Sequence, residues 1–323
     1  MTPRISNGRL EMPVDHVRGG TSTGILLNDA HMPEDLAFRE ELIRRLMGVP
    51  MQGTVSGNRQ ITGLGRGVAT SNKVFIVAPS QRNDAEIDST LAQLAADKSA
   101  IDWSVNCGNM SAALPFFALD NGMAQTNGDR TTVRIFNTNT GIVTHGILET
   151  PDGRTDFPAD TVIPGVMGQF PGVMLALLDP AGSRTSGLLP TGRPVDEIDG
   201  YSVSCVDVAV PMMILRASDF DKTATETPAD LDADTAFKDQ IKALWIEAGL
   251  RMGLKRKDGS PMDRDDLANS ETIPKVCIVA PPDDGDRSAT GNIKVRYFTP
   301  QQAHPSMAVT GGSCLAAACL VEG

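Results

Sequence analysis

The sequence holds no Cys-x-x-Cys pair, and its four histidines (His16, His31, His145, His304) fall at no metal-ligand spacing, so no metal is expected. Its five cysteines (107, 205, 277, 314, 319) are odd in number, scattered and mostly set in apolar runs. That excludes a disulfide framework and suits reduced thiols in a cytoplasm. Met1 to His16 contains no apolar leader-like core, and no apolar run approaches the length of a membrane span. A cytoplasmic protein with no membrane partner is therefore expected. A basic excess is missing too: 29 Lys and Arg stand against 40 Asp and Glu, for a net charge of −11. This argues against nucleic acid as a partner and requires that any anionic substrate meet local positive groups. Two glycine-rich stretches also lack what nucleotide binding needs. Arg18 to Gly24 is followed by no Lys-Ser/Thr, and Gln60 to Gly67 leads into a strand rather than a helix. No cofactor is expected.

What is present is organised around Val105-Asn106-Cys107-Gly108-Asn109-Met110-Ser111-Ala112-Ala113. Trp103 to Val105 reads as the end of a strand. Asn109 to about Leu119 reads as a helix buried on all sides, with Asn109 suited to cap it. Pro115 inside that helix predicts either a kink or a helix packed well enough to tolerate the proline. Cys107, between the two, reads either as a buried structural thiol or as a reactive one facing backbone N–H groups and the positive end of the helix dipole. The surroundings of this stretch occur twice. Lys73, in Asn72-Lys73-Val74-Phe75-Ile76-Val77-Ala78-Pro79, precedes Cys107 by 34 residues, and Lys275, in a similar Pro274–Pro281 segment, precedes Val309 by the same distance. Val309 again leads into a Gly-rich turn and a small, apolar helix. Two copies about 200 residues apart are too long for a solenoid period. They imply two similar domains, divided as 1–186 and 187–323, with a cleft where both central helices point their N-termini.

Along the chain, Val14 to Leu27 reads as a strand interrupted by the loop at Arg18, Gly20, Thr21 and Ser22, whose N–H groups are free to turn toward an anion. Pro33 to Met47 reads as an amphipathic helix stopped by Gly48, and Thr131 to Thr150 as a β-hairpin closing at Asn137–Gly141. Tyr201 to Leu215 reads as one strand-like run, and Thr235 to Met252 as a helix. The expected cleft holds Cys107, Lys73, the Arg18 loop and two helix N-termini, with Asn106, Gly108 and Asn109 on one side and His304, Thr310 and Gly311 on the other. A thiol, an amine and seats for anions suit proton transfer at carbon next to a carboxylate. An ordinary lysine, with a pKa of ~10.4, costs about 4.6 kcal/mol to deprotonate at pH 7. Burial must lower that pKa before the amine can act as a base.

Arg18-Gly19-Gly20-Thr21-Ser22, Gln60-Ile61-x-Gly63-x-Gly65, Thr70-Ser71-x-Lys73-Val74, Asn106-Cys107-Gly108-Asn109, Leu189-Pro190-Thr191-Gly192 and His304 before a Gly-containing turn together resemble the PrpF family. The resemblance covers nearly the whole chain. It implies an α+β, diaminopimelate-epimerase-like fold of two pseudo-symmetric domains, each a mixed β-sheet wrapped around a central helix. It also implies cofactor-free isomerisation of a small unsaturated di- or tricarboxylate, such as 4-oxalomesaconate or 2-methylaconitate, with Lys73 and Cys107 as the acid–base residues. A homodimer is compatible with this reading. The chain departs from the family pattern in having Thr23 where a lysine is usual, Thr62 where an aspartate is usual, and Arg66 where a small residue is usual. These departures open one alternative, a carboxylate-binding protein without catalysis. The absence of a second thiol at Val309 or Thr310 disfavours a two-thiol amino-acid racemase. The family continues past the last helix with further strands, so the chain is expected to be truncated at Gly323.

Overall fold

A computed structural model describes residues 4–7, 9–103, 105–163, 166–256, 258–282 and 291–323. The chain divides into two compact units, Met1–Leu178 and Asp179–Gly323. This division falls earlier in the chain than the one read from the sequence.

The first unit opens with a small ribbon, β1 (Arg4–Ser6) and β2 (Arg9–Glu11). Its main sheet contains β3 (Asp15–Gly19), β4 (Ser22–Asn28), β5 (Lys73–Pro79), β6 (Ile87–Leu94), β7 (Ile101–Asp102), β8 (Arg130–Asn137), β9 (Ile142–Glu149) and β10 (Met174–Leu177). Among the described residues the order is β10-β9-β8-β6-β5-β4-β3, with β7 beside β6. The pairs β4/β5 and β6/β8 are parallel, so the sheet is mixed. Strands β4 and β5 are apolar on both faces because each face carries a core. On one face Ile25, Leu27, Val74 and Ile76 pack with Ile43 and Met47 of helix α1 (Leu36–Met47). Asp35 caps α1 by accepting from Phe38 N at 2.7 Å, and Gly48 ends it in the left-handed region at φ 69°. On the other face Leu26, Phe75, Val77 and Leu91 pack with Met110, Leu114 and Phe117.

Those last three residues come from the central helix, which is broken where a single helix is expected. It runs as α2 (Gly108–Ser111) and α3 (Leu114–Asp120), with Pro115 in the first turn of α3. A proline there removes the hydrogen bond to Ser111 and its ring crowds that carbonyl, which accounts for the break. The ring is seated against β9 at Gly146, where any Cβ would collide with Pro115 Cγ. The expected strand at Trp103–Val105 is represented by β7, which ends at Asp102; Ser104 lies outside the described residues.

The second unit repeats the plan. Its sheet runs β11-β12-β13-β14-β15-β16 among the described residues: Asp196–Ile198, Tyr201–Asp207, Pro211–Arg216, Lys275–Ala280, Lys294–Thr299 and Gln302–Ala303. The parallel pair is β13/β14, the counterpart of β4/β5. The run expected as one strand from Tyr201 is therefore a hairpin, turning between Asp207 and Pro211 with Ala209 at φ 63°. Three helices follow β13: α4 (Pro228–Ala233), α5 (Thr235–Arg251) and α6 (Arg264–Ala268). Phe237, Ile241, Leu244 and Trp245 of α5 cover one face with Val203, Met213, Leu215, Val276 and Ile278. The last helix, α7 (Val309–Ala318), covers the other, where Cys314 and Leu315 pack with Met212, Cys277 and Tyr297. The fold is thus α+β, each unit a mixed sheet with a central helix on one face. Among the described residues no helix is long and apolar enough to cross a membrane.

Candidate active site

The site of the first unit grows from strand register. Pairing of Ile25 with Val74 sets Gly24 beside Lys73, and β6 sets Gln93 directly opposite Lys73. By alternation, Ser22, Gly24, Lys73 and Gln93 all lie on the face that carries the central helix. Gly24 is glycine for want of room, since a Cβ there would stand 2.7 Å from Lys73 O and 3.1 Å from Lys73 Cβ. Lys73 is buried, only 7% exposed, and its amine donates to Gln93 Oε1. The amide of Gln93 is locked in turn, its Nε2 donating to Asn72 O at 3.0 Å and Leu94 O at 3.1 Å. Burial holds the Lys73 pKa below its ordinary value of 10.5, and the charge of Cys107 partly offsets this by raising it. The lysine and the thiol are therefore within electrostatic reach of one another.

Cys107 occupies the N-cap position of α2, with Asn109 one residue inside the helix rather than capping it. Asn106 serves the helix entrance instead: its Oδ1 accepts from Cys107 N at 2.7 Å. Ser111 Oγ donates to Cys107 O at 3.0 Å, and Cys107 Sγ lies 4.0 Å from Ser22 Oγ. The hairpin joining β3 to β4 turns through Gly20 and Thr21, with Gly20 at φ +51°. Its tip lies against the first turn of α2. Asn109 Nδ2 donates to Thr21 Oγ1 at 2.8 Å, and a Cβ on Gly19 would collide with Asn109 O and stand 2.6 Å from Met110 Cα. The first N–H groups of a helix have no acceptor within it, so Gly108 and Asn109 bring donors to the same place.

The structure thus brings together Lys73, Cys107, Ser22, Asn106, Gly108, Asn109, Gly20 and Thr21. Arg18 stands at the edge of this group: its Nη1 donates to Gly20 O at 3.5 Å, while its strand position faces the other way. Val17 packs into the core beneath the central helix, so alternation sends Arg18 to the opposite face, and the charge felt by Lys73 is that of Cys107. On its own face Arg18 is paired with Thr23 and lies near His16 and Arg66. Arg66 therefore returns a cation to the strand face on which Thr23 carries none.

His304, Thr310 and Gly311 belong to the second unit. His304 N donates to Tyr297 O at 2.8 Å, its Nδ1 accepts from Ser306 N at 3.1 Å, and its ring stands edge-on to Tyr297. With Tyr297, Ser306 and Met307 it lines a cavity of about 220 Å³. Thr310 and Gly311 form the first turn of α7, with the Tyr297 ring packed where a Gly311 Cβ would be. Lys275, the counterpart of Lys73, starts β14 on the α7 face, and burial pushes its pKa down to about 8.

Sequence reading missed Gln93 and Gly24. A signal for the first existed: Gln93 is the polar member of the alternating series Ile87, Ser89, Leu91, Gln93 that faces the core. Chemically, the arrangement sets a buried amine with a lowered pKa beside a thiol and a group of N–H and hydroxyl donors. It can take a proton from carbon at one end of a conjugated acid, hold the resulting negative charge, and return a proton at the other end.

A family profile described as "PrpF protein" matches residues 9–323. The chain is 34% identical to a 4-oxalomesaconate tautomerase of Pseudomonas putida over 98% of its own length and 81% of that protein. It is 30% identical to a 3-methylitaconate isomerase of Eubacterium barkeri over 98% of its length and 83% of the other. Among solved structures, a methylitaconate-delta-isomerase superposes with a TM-score of 0.78 at 30% identity, covering 96% of this chain and 81% of that one.

Proposed function

Because the chain belongs to the PrpF family, we propose that Lys73 and Cys107 move a proton between two carbons of an unsaturated polycarboxylate. The chain is an isomerase of small unsaturated carboxylates. In the step assigned here, the neutral amine of Lys73 removes a proton from the saturated carbon next to the double bond. The electrons spread over the allylic system into a carboxylate or oxo group, forming an enolate held by the N–H groups of Gly108 and Asn109 and the hydroxyl of Ser22. The thiol of Cys107 then delivers a proton to the far carbon, and the double bond ends one position along. The ammonium of Lys73 and the thiolate of Cys107 restore their starting forms by passing one proton back through solvent. The same enolate, rotated before reprotonation, gives a cis–trans change.

The observation that carries this reading is the buried lysine whose pKa is lowered by desolvation, with the charge of the neighbouring Cys107 acting on it in the opposite direction. Unlowered, the amine would cost about 4.6 kcal/mol to deprotonate at pH 7. Substrates of the 4-oxalomesaconate, methylitaconate and 2-methylaconitate type fit, because each has an acidic allylic C–H beside carboxylates. A reducing cytoplasm suits the free thiols of Cys107, Cys205, Cys277, Cys314 and Cys319. Turnover of these three compounds, followed by ultraviolet absorbance, tests the assignment. Lys73→Met is expected to abolish turnover while leaving binding measurable, and Cys107→Ser to slow it by about 10²–10⁴-fold. A Cys107→Ser enzyme of wild-type speed, whose product formed in deuterated solvent carries less than one solvent deuterium because the abstracted hydrogen is returned directly, would assign both transfers to Lys73 alone. No turnover of any of the three by the folded wild-type chain would refute the substrate class.

A further inference from the structure

Strand β3 carries His16 and Arg18 two residues apart, hence on one face, and Arg66 reaches that face from the loop between α1 and β5. The loop is not loose. Gln60, buried at 1% exposure, donates from Nε2 to Met47 O at 2.9 Å and accepts from Gly67 N at 2.7 Å. Gly65 is folded so tightly onto the Gln60 amide that no Cβ fits. Arg66, between those two glycines, is thereby held with Nη2 3.5 Å from His16 Nδ1. Arg18 Nη1 donates to Gly20 O at 3.5 Å, and neither Arg18 nor Arg66 forms an ion pair among the described residues, in a chain of net charge −11. All three side chains are exposed. Burial, then the charges of Arg66 and Arg18, lower the pKa of His16.

We infer that His16, Arg18 and Arg66 form a carboxylate-binding site on the sheet face opposite Lys73 and Cys107. Two guanidiniums and an imidazole gathered without a counter-charge repel one another, and a bound oxyanion removes that repulsion. A guanidinium matches a carboxylate fork to fork. With Nδ1 of His16 turned to the Arg66 guanidinium as acceptor, Nε2–H is left to donate to the ligand. The choice of a carboxylate rests on the proposed function, which supplies polycarboxylates as the anions this protein meets. The ligand is a second carboxylate-bearing molecule, because the strand alternation that gives Lys73 one face gives these three residues the other.

The test uses tricarballylate, a saturated tricarboxylate with no double bond to shift, titrated into the whole chain. Binding is read by calorimetry and by the NMR signals of the His16 imidazole. The His16 signals are expected to move and its pKa to rise on saturation. Arg66→Ala should weaken that event by about 10–100-fold, and Arg66→Lys should retain part of it. Turnover at saturating substrate should be unchanged in Arg66→Ala. Unmoved His16 signals in the wild-type chain, or equal shifts in Arg66→Ala, would overturn the site. Inorganic phosphate acting as strongly as tricarballylate would overturn its assignment to carboxylates. Since this binding is read without turnover, an inactive enzyme that still shows it would refute the proposed function and leave the site standing.

Discussion

Replacing Gln93 by glutamate exchanges one heavy atom of the side chain, the amide nitrogen for an oxygen, and tests how the Lys73 amine is kept ready. In the wild-type chain a neutral amide oxygen accepts from the amine, and burial depresses the lysine pKa. A carboxylate in that position would favour the ammonium and raise the pKa by about 1–3 units. If Lys73 is the base, as proposed, its active form is the deprotonated one, and kcat/KM rises with pH through the depressed pKa. Below that pKa each unit of upward shift removes tenfold of the neutral amine. Gln93→Glu should therefore lower kcat/KM at neutral pH by about 10–10³-fold and move the rising limb of the profile to higher pH by the same number of units. Activity should return as the pH approaches the new pKa. The substitution also removes the donors to Asn72 O and Leu94 O, for about 1–3 kcal/mol of stability. Profiles are therefore compared well below the melting temperature of each variant, using ultraviolet absorbance of 4-oxalomesaconate or 2-methylaconitate. A Gln93→Glu enzyme whose rising limb does not move would refute the idea that the amine of Lys73 is the base.

Two further outcomes follow from the same geometry. Gly24→Ala places a methyl 2.7 Å from Lys73 O, so thermal denaturation should show a loss of about 1–3 kcal/mol and, on the proposed assignment, turnover should fall further than that loss explains, because β5 must shift under the Lys73 amine. Lys275→Met should stabilise the chain at pH 7 by about 1–3 kcal/mol in denaturant titrations. The native Lys275 releases its proton at about 8 and the unfolded one near 10.5, so the unfolded state holds more protons between those values, stability of the wild type rises with pH across that window, and the advantage of the variant should vanish by its upper end.

Cys107 and Lys73 were legible in the sequence because both sit in a segment that occurs twice, and the copies differ where the thiol stands. The two-unit α+β fold was legible for the same reason. Gln93 was not, because it comes from a strand 20 residues beyond Lys73 and only the register of β5 with β6 makes them neighbours. Arg18 directly precedes the glycines of the turn, and only the register of β3 with β4 shows that its strand position faces away from Lys73 while its guanidinium reaches Gly20 O. Asn109 misled by propensity, since asparagine favours caps, whereas here its amide is used to tie down Thr21 and the capping place falls to Cys107. The proline break was one of two outcomes the sequence allowed, and its seat at Gly146 depends on a strand met only in three dimensions.

The amine and the thiol rest on parts of the first unit that differ in how readily they open. Lys73 begins a strand with neighbours on both sides and cores on both faces. Its backbone amides from Val74 to Val77 belong with those released to solvent only by global unfolding. Cys107 stands at the head of a four-residue helix steadied by the tip of a two-residue turn, a segment that can loosen by itself on a much shorter timescale. On the proposed assignment, the proton acceptor is held more firmly than the donor. On warming or in mild denaturant, the return of the proton should fail before its removal does, so the enzyme would pass through a regime in which it exchanges substrate hydrogen with solvent faster than it completes the isomerisation.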